Sequence, residues 1–594
     1  TPKPSSAASD VYKRQTLAEG LIKSAANSSE KGVFLIKGES DEKFIPYKYV
    51  YLEALKVLYN LQANGLKKGD ELILQIKDTD NELFIYTFWA CILGKIIPVP
   101  VSVTHRENAS KVLKIFSQLK NPKIIIDEKC LQGIEKFTKG TSFSGILEDL
   151  KANSISMDKV IRDEGIGRVE IINEDDIAFI QFSSGTTGDP RGVVLTHKNL
   201  ITNIGDIIDG FKGNERDSMC SWMPLTHDMG IIGLHLLPLV FNINQYLMPT
   251  SLFIKNPILW IKKINEHRVT LTAASNFGFR YFLDHLKDRE YLEWDLSCIR
   301  KVFNGAEPIS VDIIKEFLYK LAIYRLKRDT MYTVYGMADA SLAVAFPPAD
   351  EEFSCIYVRR DSLNVGQAIV ELKKGEESDL SMELVVEGYS VKHCNIRIVD
   401  DNLNILEEGW IGNIQISGDN VTKEYYNNPG LTKSIISEDG WLATGDLGFI
   451  KGGRIVVIGR SQDVICINGI TYYPHYIENK CEDIEGISTG RIVACALKDK
   501  FIERDRLIIF LLFKRKMEDF IDFAERVKKL IGEQIDISVE EVIPVRSIPK
   551  TTSGKVQRFK LVEMYRKGEF EESINNMYEV FSRKVMDTIA ATKE

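Results

Sequence analysis

From about residue 47 to about Asp350, short apolar runs alternate with stretches of helical period. That alternation constrains the fold more than any other feature. "YKYVYLEALKVLYNLQANGLKKGDELILQIK" (47–77) reads as helix, stop and strand. Leu52, Leu55, Leu58 and Leu61 are expected on one helical face. Gly65 stands where a left-handed cap belongs. A helix over about Asn81–Leu93, the run "IIPVPV", a helix near Lys111–Gln118 and the run "KIIIDE" continue the series. Strands joined through helices form a parallel sheet with helices on its faces. From Glu383 to Gly459 the pattern changes to short β runs: "ELVVEG", "NIRIVD", "GNIQISG" and "RIVVIG". Gly452-Gly453 between two apolar runs marks a hairpin. After Arg460 come "RIVACALK", "DRLIIFLLFK" and a helix near Phe523–Ile531. The expected fold is therefore α/β. It has a large N-terminal domain of parallel α/β sheets plus a β-rich subdomain (16–459) and a small mobile C-terminal α+β domain (460–565). A charged helical tail or linker follows (566–594). "TPKPSSAASDVYKRQ" (1–15) lacks the charged-apolar-small order of a signal peptide and resembles translated adapter sequence. It is set aside as a non-native leader.

Composition narrows the class. At 594 residues the chain exceeds what one core organises. A net charge of -8 argues against a nucleic-acid binder. Nine dispersed cysteines with no Cys-x-x-Cys fit a reducing cytoplasm. The most apolar stretch, "LFIYTFWACILGKIIPVPV" (83–101), is broken by Gly94 and Lys95, so it reads as buried helix and core strand rather than a membrane span.

The stretch "QFSSGTTGDPRGVVLTH" (181–197) carries chemistry. It follows the apolar run "IAFI" and leads into "THKNL", which can open a helix. That places Ser183, Ser184, Gly185, Thr186, Thr187 and Gly188 at a strand's carboxyl end, where α/β folds bind ligands. Glycines let backbone N–H groups approach an anion, hydroxyls add neutral donors and Arg191 adds charge. A flexible Ser/Gly surface loop is the alternative. The loop lacks the Gly-Lys-Ser/Thr ending of a P-loop. A lysine in a second glycine turn lies far along the chain: Lys555 in "IPKTTSGKVQRFKL" (548–561). Alone, that basic run reads as a solvated turn.

Together the two stretches resemble the adenylate-forming enzymes: acyl-CoA synthetases, nonribosomal-peptide adenylation domains and luciferases. "SSGTTGDPRGVVLTH" resembles their phosphate loop, and "TVYGMADASLAVAF" (333–346) their Tyr-Gly-x-x-Glu segment. "GWLATGDLGFI" (440–450) resembles their Thr-Gly-Asp segment, and "VIGRSQDVICINGITYYPHYIE" (457–478) their hinge. "PKTTSGKVQR" (549–558) resembles the catalytic-lysine motif. These follow in family order over about residues 16–565. Within the superfamily, "SWMPLTHDMGIIGLHLLPL", "ASNFGFRYFL" and "VFNGAEPIS" resemble the fatty acyl-AMP ligases. So does extra sequence between Phe346 and Glu383, where that branch carries an insertion that disfavours release to free coenzyme A.

The resemblance implies ATP-dependent activation of a fatty carboxylic acid, with Mg2+, followed by acyl transfer to the phosphopantetheine thiol of an acyl carrier protein. It implies that Lys555 bridges the substrate carboxylate and the α-phosphate, with His227 at the acyl–phosphate junction. The loop 183–188 and Arg191 are expected on the phosphates. Gly305, Ala306, Glu307, Tyr335 and Gly336 are expected around adenine, Asp446 at the ribose, and Arg460 at the ribose or phosphate. Asp339 is the expected metal ligand. Ile231, Ile232, Leu234 and Phe277 are expected along the acyl channel, with ordinary core packing as the alternative. Departures are Arg191 for lysine, Asp339 for glutamate, Ser275 for proline, Gln462 at the hinge and Ile470 after Gly469. Competing readings are a coenzyme A-using synthetase, an amino-acid adenylation domain and a non-catalytic ligand-binding module.

Overall fold

The computed structural model describes residue 11 and residues 15–27, 30–103, 108–184, 189–286, 293–373, 375–376, 381–467, 470–488, 490–498, 505–551 and 555–591. The first helix–strand pair forms as its sequence dictates. The helix Tyr47–Ala63 stops at Asn64, and Gly65 takes φ +83°, a left-handed cap. Leu55, Leu58 and Leu61 are buried, but Leu52 is 40% exposed. Steps of three residues fall 60° short of a full turn, so a run of four drifts off the core face. The helix Asn81–Gly94 is buried throughout from Phe84, and the strand Ile97–Pro100 follows it.

Seven strands form the largest sheet, in the spatial order Met331–Thr333, Lys301–Asn304, Leu271–Ala274, Ser218–Ser221, Asn244–Leu247, Gly32–Ile36 and Glu42–Pro46. All neighbours are parallel except the last pair. Parallel pairing puts the carboxyl ends of four strands on one edge. The segments beginning at Trp222, Ser275, Gly305 and Val334 therefore emerge side by side. A second parallel sheet runs Ile97–Pro100, Glu71–Gln75, Lys123–Ile126, Ser154–Ile155. Val11, within the stretch set aside as a leader, is 1% exposed in the main core.

The β runs after residue 383 make an antiparallel sheet of Cys394–Val399, Gly412–Gly418, Leu442–Lys451 and Arg454–Arg460. Gly452 and Gly453, at φ +58° and +73°, turn the last hairpin as expected. "ELVVEG" is the exception, because Ser381–Val386 pairs with Ser354–Arg359 in a separate three-stranded sheet.

The last part of the chain builds a sheet of Ile492–Lys498, Asp505–Leu512 and Val539–Val545 with the helices Pro474–Cys481, Met517–Ile535 and Arg558–Arg566. The helix Met517–Ile535 is longer at both ends than expected. The final helix, Glu571–Ala591, packs back on it and on Val539–Val545. The extra sequence between Phe346 and Glu383 is fastened to this unit. Arg360 donates to the carbonyls of Ile535 (3.2 Å) and Gln534 (3.5 Å), Tyr473 Oη to Leu363 O (3.1 Å), and Thr471 N–H to Asn364 Oδ1 (2.8 Å).

Candidate active site

A cleft of about 1840 Å3 lies at the common strand edge, between the large sheets and the C-terminal unit. Ser183, Arg191, His227, Phe277, Ala306, Glu307, Tyr335, Gly336, Asp339, Asp446, Arg460 and Lys555 all line it. These residues come from eight separate segments of the chain. Gly305 stands just behind the wall, where a Cβ would lie 2.7 Å from Val334 O. Ile231, Ile232 and Leu234 do not reach the cleft. Their segment coils as a wide helix, Met229–Leu236, buried on every side, and they pack in the core. Of the four expected channel residues only Phe277 faces the cleft.

Ser183 and Arg191 face each other across the hairpin Ile177–Ser184/Pro190–Thr196. Gly185, Thr186, Thr187 and Gly188 lie outside the described residues, as does the side chain of Ser184. The hairpin leads into the helix His197–Gly210. Thr196 and Asn199 close that helix with a reciprocal capping box.

Asp446 sits in a bulged register opposite Arg460. Tyr335 Oη donates to Asp446 Oδ2 at 2.7 Å, and Arg460 Nε lies 2.9 Å from Oδ1. Thr444 Oγ1 accepts from the Asp446 N–H at 3.0 Å. Asp446 is 5% exposed, so these contacts lock its rotamer while each oxygen keeps a free lone pair. The Tyr335 hydroxyl thus serves Asp446, a task the sequence did not reveal. Gly336 has no room for a side chain, since a Cβ would lie 2.0 Å from Leu342 O. Ala306 adopts φ +76°, a left-handed conformation unusual for alanine. Glu307 Oε1 accepts the Phe277 N–H at 3.1 Å, capping the helix Asn276–Leu286.

His227 Nδ1 lies 2.6 Å from Asp228 Oδ1. Burial works to raise the Asp228 pKa, but His227 and Lys555 outweigh it and hold the carboxyl at about 2. Burial pushes the Lys555 ammonium below its ordinary pKa, and Asp228 opposes that shift. The lysine turn is pinned at both ends. Thr551 Oγ1 accepts the Lys555 N–H at 3.1 Å, and the Thr551 N–H donates to Lys555 O at 2.7 Å. Arg558 Nη2 donates to both carboxylate oxygens of Glu478 at 2.7 Å, tying the motif to the helix Pro474–Cys481.

Asp339 lies on a short helical turn, Ala338–Ala340, and the Tyr425 hydroxyl donates to its Oδ1. Burial raises its pKa, while Tyr425, Arg460 and Arg191 favour the ionised form. One hard carboxylate oxygen donor in the cleft wall is of the kind that a magnesium ion taking its other ligands from elsewhere would accept. Among the described residues, Glu42, Glu266 and His267 also bring ligand atoms within 4.8 Å of one another. Lys263 Nζ stands 2.6 Å from Glu42 and 2.7 Å from Glu266, so an ammonium already bridges the two carboxylates of that cluster.

Residues 22–426, more than half of the chain, match the family model for AMP-binding enzymes. The chain belongs to that family. A medium-chain-fatty-acid–[acyl-carrier-protein] ligase of Teredinibacter turnerae, TtuA, is 31% identical over 404 residues, covering 65% of this chain. This chain spans 62% of that ligase's length. A putative acyl-CoA synthetase of Caulobacter vibrioides is 27% identical over 569 residues, 93% of this chain and 96% of the relative. A solved structure from structural and functional studies of fatty acyl-adenylate ligases of E. coli and L. pneumophila superposes with a TM-score of 0.84. It is 26% identical and covers 93% of this chain and 98% of that one. The described architecture is the adenylate-forming fold that the motifs implied, and no helix among the described residues is long and apolar enough to cross a membrane.

Among the cleft residues that the sequence reading gave no role are Asp228, Tyr425 and Glu387. Asp228 lay inside the "THDMG" segment, next to the histidine that drew notice. Tyr425, in "KEYYN", carried no signal until folding set it against Asp339. Glu387 was read only as the end of a strand, yet it lines the cleft.

Proposed function

We propose that this protein joins a medium- or long-chain fatty acid to the α-phosphate of ATP, releasing pyrophosphate, and passes the acyl group to the phosphopantetheine thiol of an acyl carrier protein. The observation that carries this reading is Lys555, from the C-terminal unit, lining one cleft with Asp446 and Arg191 of the large domain and with Arg460 at the boundary between the two. Both reactants are anions, so the barrier falls chiefly through charge neutralisation and alignment. Asp446, fixed by Tyr335 and Arg460, accepts from the ribose hydroxyls. Ala306, Glu307 and Gly336 flank the base. Lys555 spans the fatty carboxylate and the α-phosphate, and Arg191 meets the outer phosphates. Asp339 would hold Mg2+, which when bound neutralises charge on the departing pyrophosphate. His227, oriented by Asp228, stands where the carboxylate approaches. Because Lys555 arrives from a separate unit, closure assembles the site and opening releases it to the acceptor.

The carrier protein as acceptor is supported by the Teredinibacter relative and by the insertion fastened to the C-terminal unit through Arg360. The Caulobacter relative favours a second reading, free coenzyme A as acceptor. The test is incubation with ATP, Mg2+ and carboxylic acids from acetate to stearate, alongside amino acids, with acyl-adenylate detected by mass spectrometry. Parallel reactions contain coenzyme A or a loaded carrier protein. Lys555→Ala is expected to retain ATP binding and lose adenylate formation by about 10²–10³-fold. Adenylate from amino acids alone would refute the fatty-acid reading, and thioester formed on coenzyme A as readily as on carrier would refute the carrier reading.

A further inference from the structure

Glu387 plays no part in the chemistry above, yet it is a buried acid in the wall of the cleft. It follows the strand Ser381–Val386 at 5% exposure and lines the cavity with Val334, Tyr335 and Val457. Its backbone is held on both sides. The Glu387 N–H donates to Ile455 O at 3.1 Å, and the Ile455 N–H returns to Gly388 O at 2.7 Å. Gly388 takes φ +105°, and a Cβ there would lie 2.3 Å from the Phe346 backbone, so the turn admits only glycine. The Val457 N–H donates to Glu387 Oε2 at 3.0 Å. Among the described residues no lysine or arginine pairs with this carboxyl. The titratable groups facing it are Asp446 on the strand Leu442–Lys451 and Cys355 on the strand Ser354–Arg359. Burial, with a smaller push from Asp446, raises its pKa to about 8.

A buried carboxyl with no cation beside it is costly unless something uses it. At neutral pH it is mostly protonated, offering one O–H donor beside one acceptor oxygen. That pair complements the edge of adenine on which the 6-amino group adjoins a ring nitrogen acceptor. The position suits the task, since Val457 lies three residues before Arg460, whose guanidinium meets Asp446. We propose that Glu387 reads the nucleobase, its carboxyl hydrogen-bonding the 6-amino edge of adenine. The assignment rests on the nucleotide reading of the cleft given above.

The probes are ATP and purine riboside triphosphate, which lacks the 6-amino group. Binding is measured by calorimetry, and KM by pyrophosphate exchange with an accepted fatty acid. Wild type is expected to prefer ATP by roughly 10-fold or more, the usual worth of a buried hydrogen bond. Glu387→Val is expected to bind both triphosphates alike, through a change in nucleotide KM with the fatty-acid KM unmoved. Glu387→Gln keeps a donor and an acceptor on the same stem, so it should fold and retain the preference. Raising the pH through about 8 should weaken wild-type binding of both triphosphates, because the carboxylate no longer donates to the ring nitrogen they share, and leave Glu387→Gln unchanged. Equal preference in wild type and Glu387→Val, or wild-type affinity no more pH-dependent across pH 8 than that of Glu387→Gln, would overturn the assignment alone. Failure of wild type to bind ATP at all would overturn the nucleotide reading with it.

Discussion

Arg360 is the strongest single fastening between the insertion and the C-terminal unit, and its removal makes a quantitative test. Its side chain is 7% exposed. It donates to the two terminal carbonyls of the helix Met517–Ile535, at 3.2 and 3.5 Å, where the helix dipole favours a cation. It also lies 5.7 and 5.6 Å from the ring centroids of Tyr472 and Tyr476. A hydrogen bond to a charged group contributes about 1.5–3 kcal/mol, and each cation–π contact about 0.5–1 kcal/mol. The second hydrogen bond is long and such contributions overlap, so Arg360→Ala should weaken the fastening by about 2–3 kcal/mol. That is a factor of about 30–150 in the equilibrium between held and released C-terminal unit. Hydrogen exchange read on peptides spanning 470–476 and 530–536 should rise by a similar factor. In parallel, acyl transfer to free coenzyme A should increase, while adenylate formation with ATP should fall by no more than that factor, since Lys555 rides on the same unit. Arg360→Lys keeps the charge but loses the planar fork, and should fall between. Unchanged exchange in both peptides, or faster exchange with no gain in coenzyme A turnover, would refute the idea that this contact restrains the unit and so selects the acceptor.

Asp228→Asn tests the charge cluster around Lys555. The carboxyl's folded pKa is depressed from 3.8 to about 2, so its stabilisation is complete above pH 4 and is lost as pH falls through about 2. The difference amounts to about 2 kcal/mol. Urea midpoints measured from pH 6 down to 2 should show that acid limb in wild type and a weaker one in the variant. In the same variant Lys555 loses the group that opposes its desolvation, so adenylation should decline at lower pH on the alkaline side. Tyr425→Phe removes a donor that favours the ionised form of Asp339. Its pyrophosphate exchange should need several-fold more Mg2+ for half-maximal rate, and an unchanged requirement would dissociate Asp339 from the metal.

Local chemistry alone determined much of this protein. Gly65 as a cap, Gly452-Gly453 as a hairpin turn and Thr196 as a helix opener are set by backbone sterics and near-neighbour hydrogen bonds, which are fully present in the sequence. The ordered motifs also named most of the cleft, because those after Ser221, Ala274, Asn304 and Thr333 occupy the ends of parallel strands, whose common edge the topology dictates. Side-chain direction within buried segments was left to the tertiary structure. Ile231, Ile232 and Leu234 are apolar on a segment buried all round, so no periodicity could tell cleft from core. Contacts across great sequence distance were equally invisible. Tyr335 meeting Asp446, Tyr425 meeting Asp339, Arg360 meeting Ile535 and Lys555 approaching Asp228 all depend on where separate sheets and the C-terminal unit pack. A sequence specifies each partner's chemistry, but only the packed fold specifies the distance between them, and electrostatic and hydrogen-bonding energies depend on that distance.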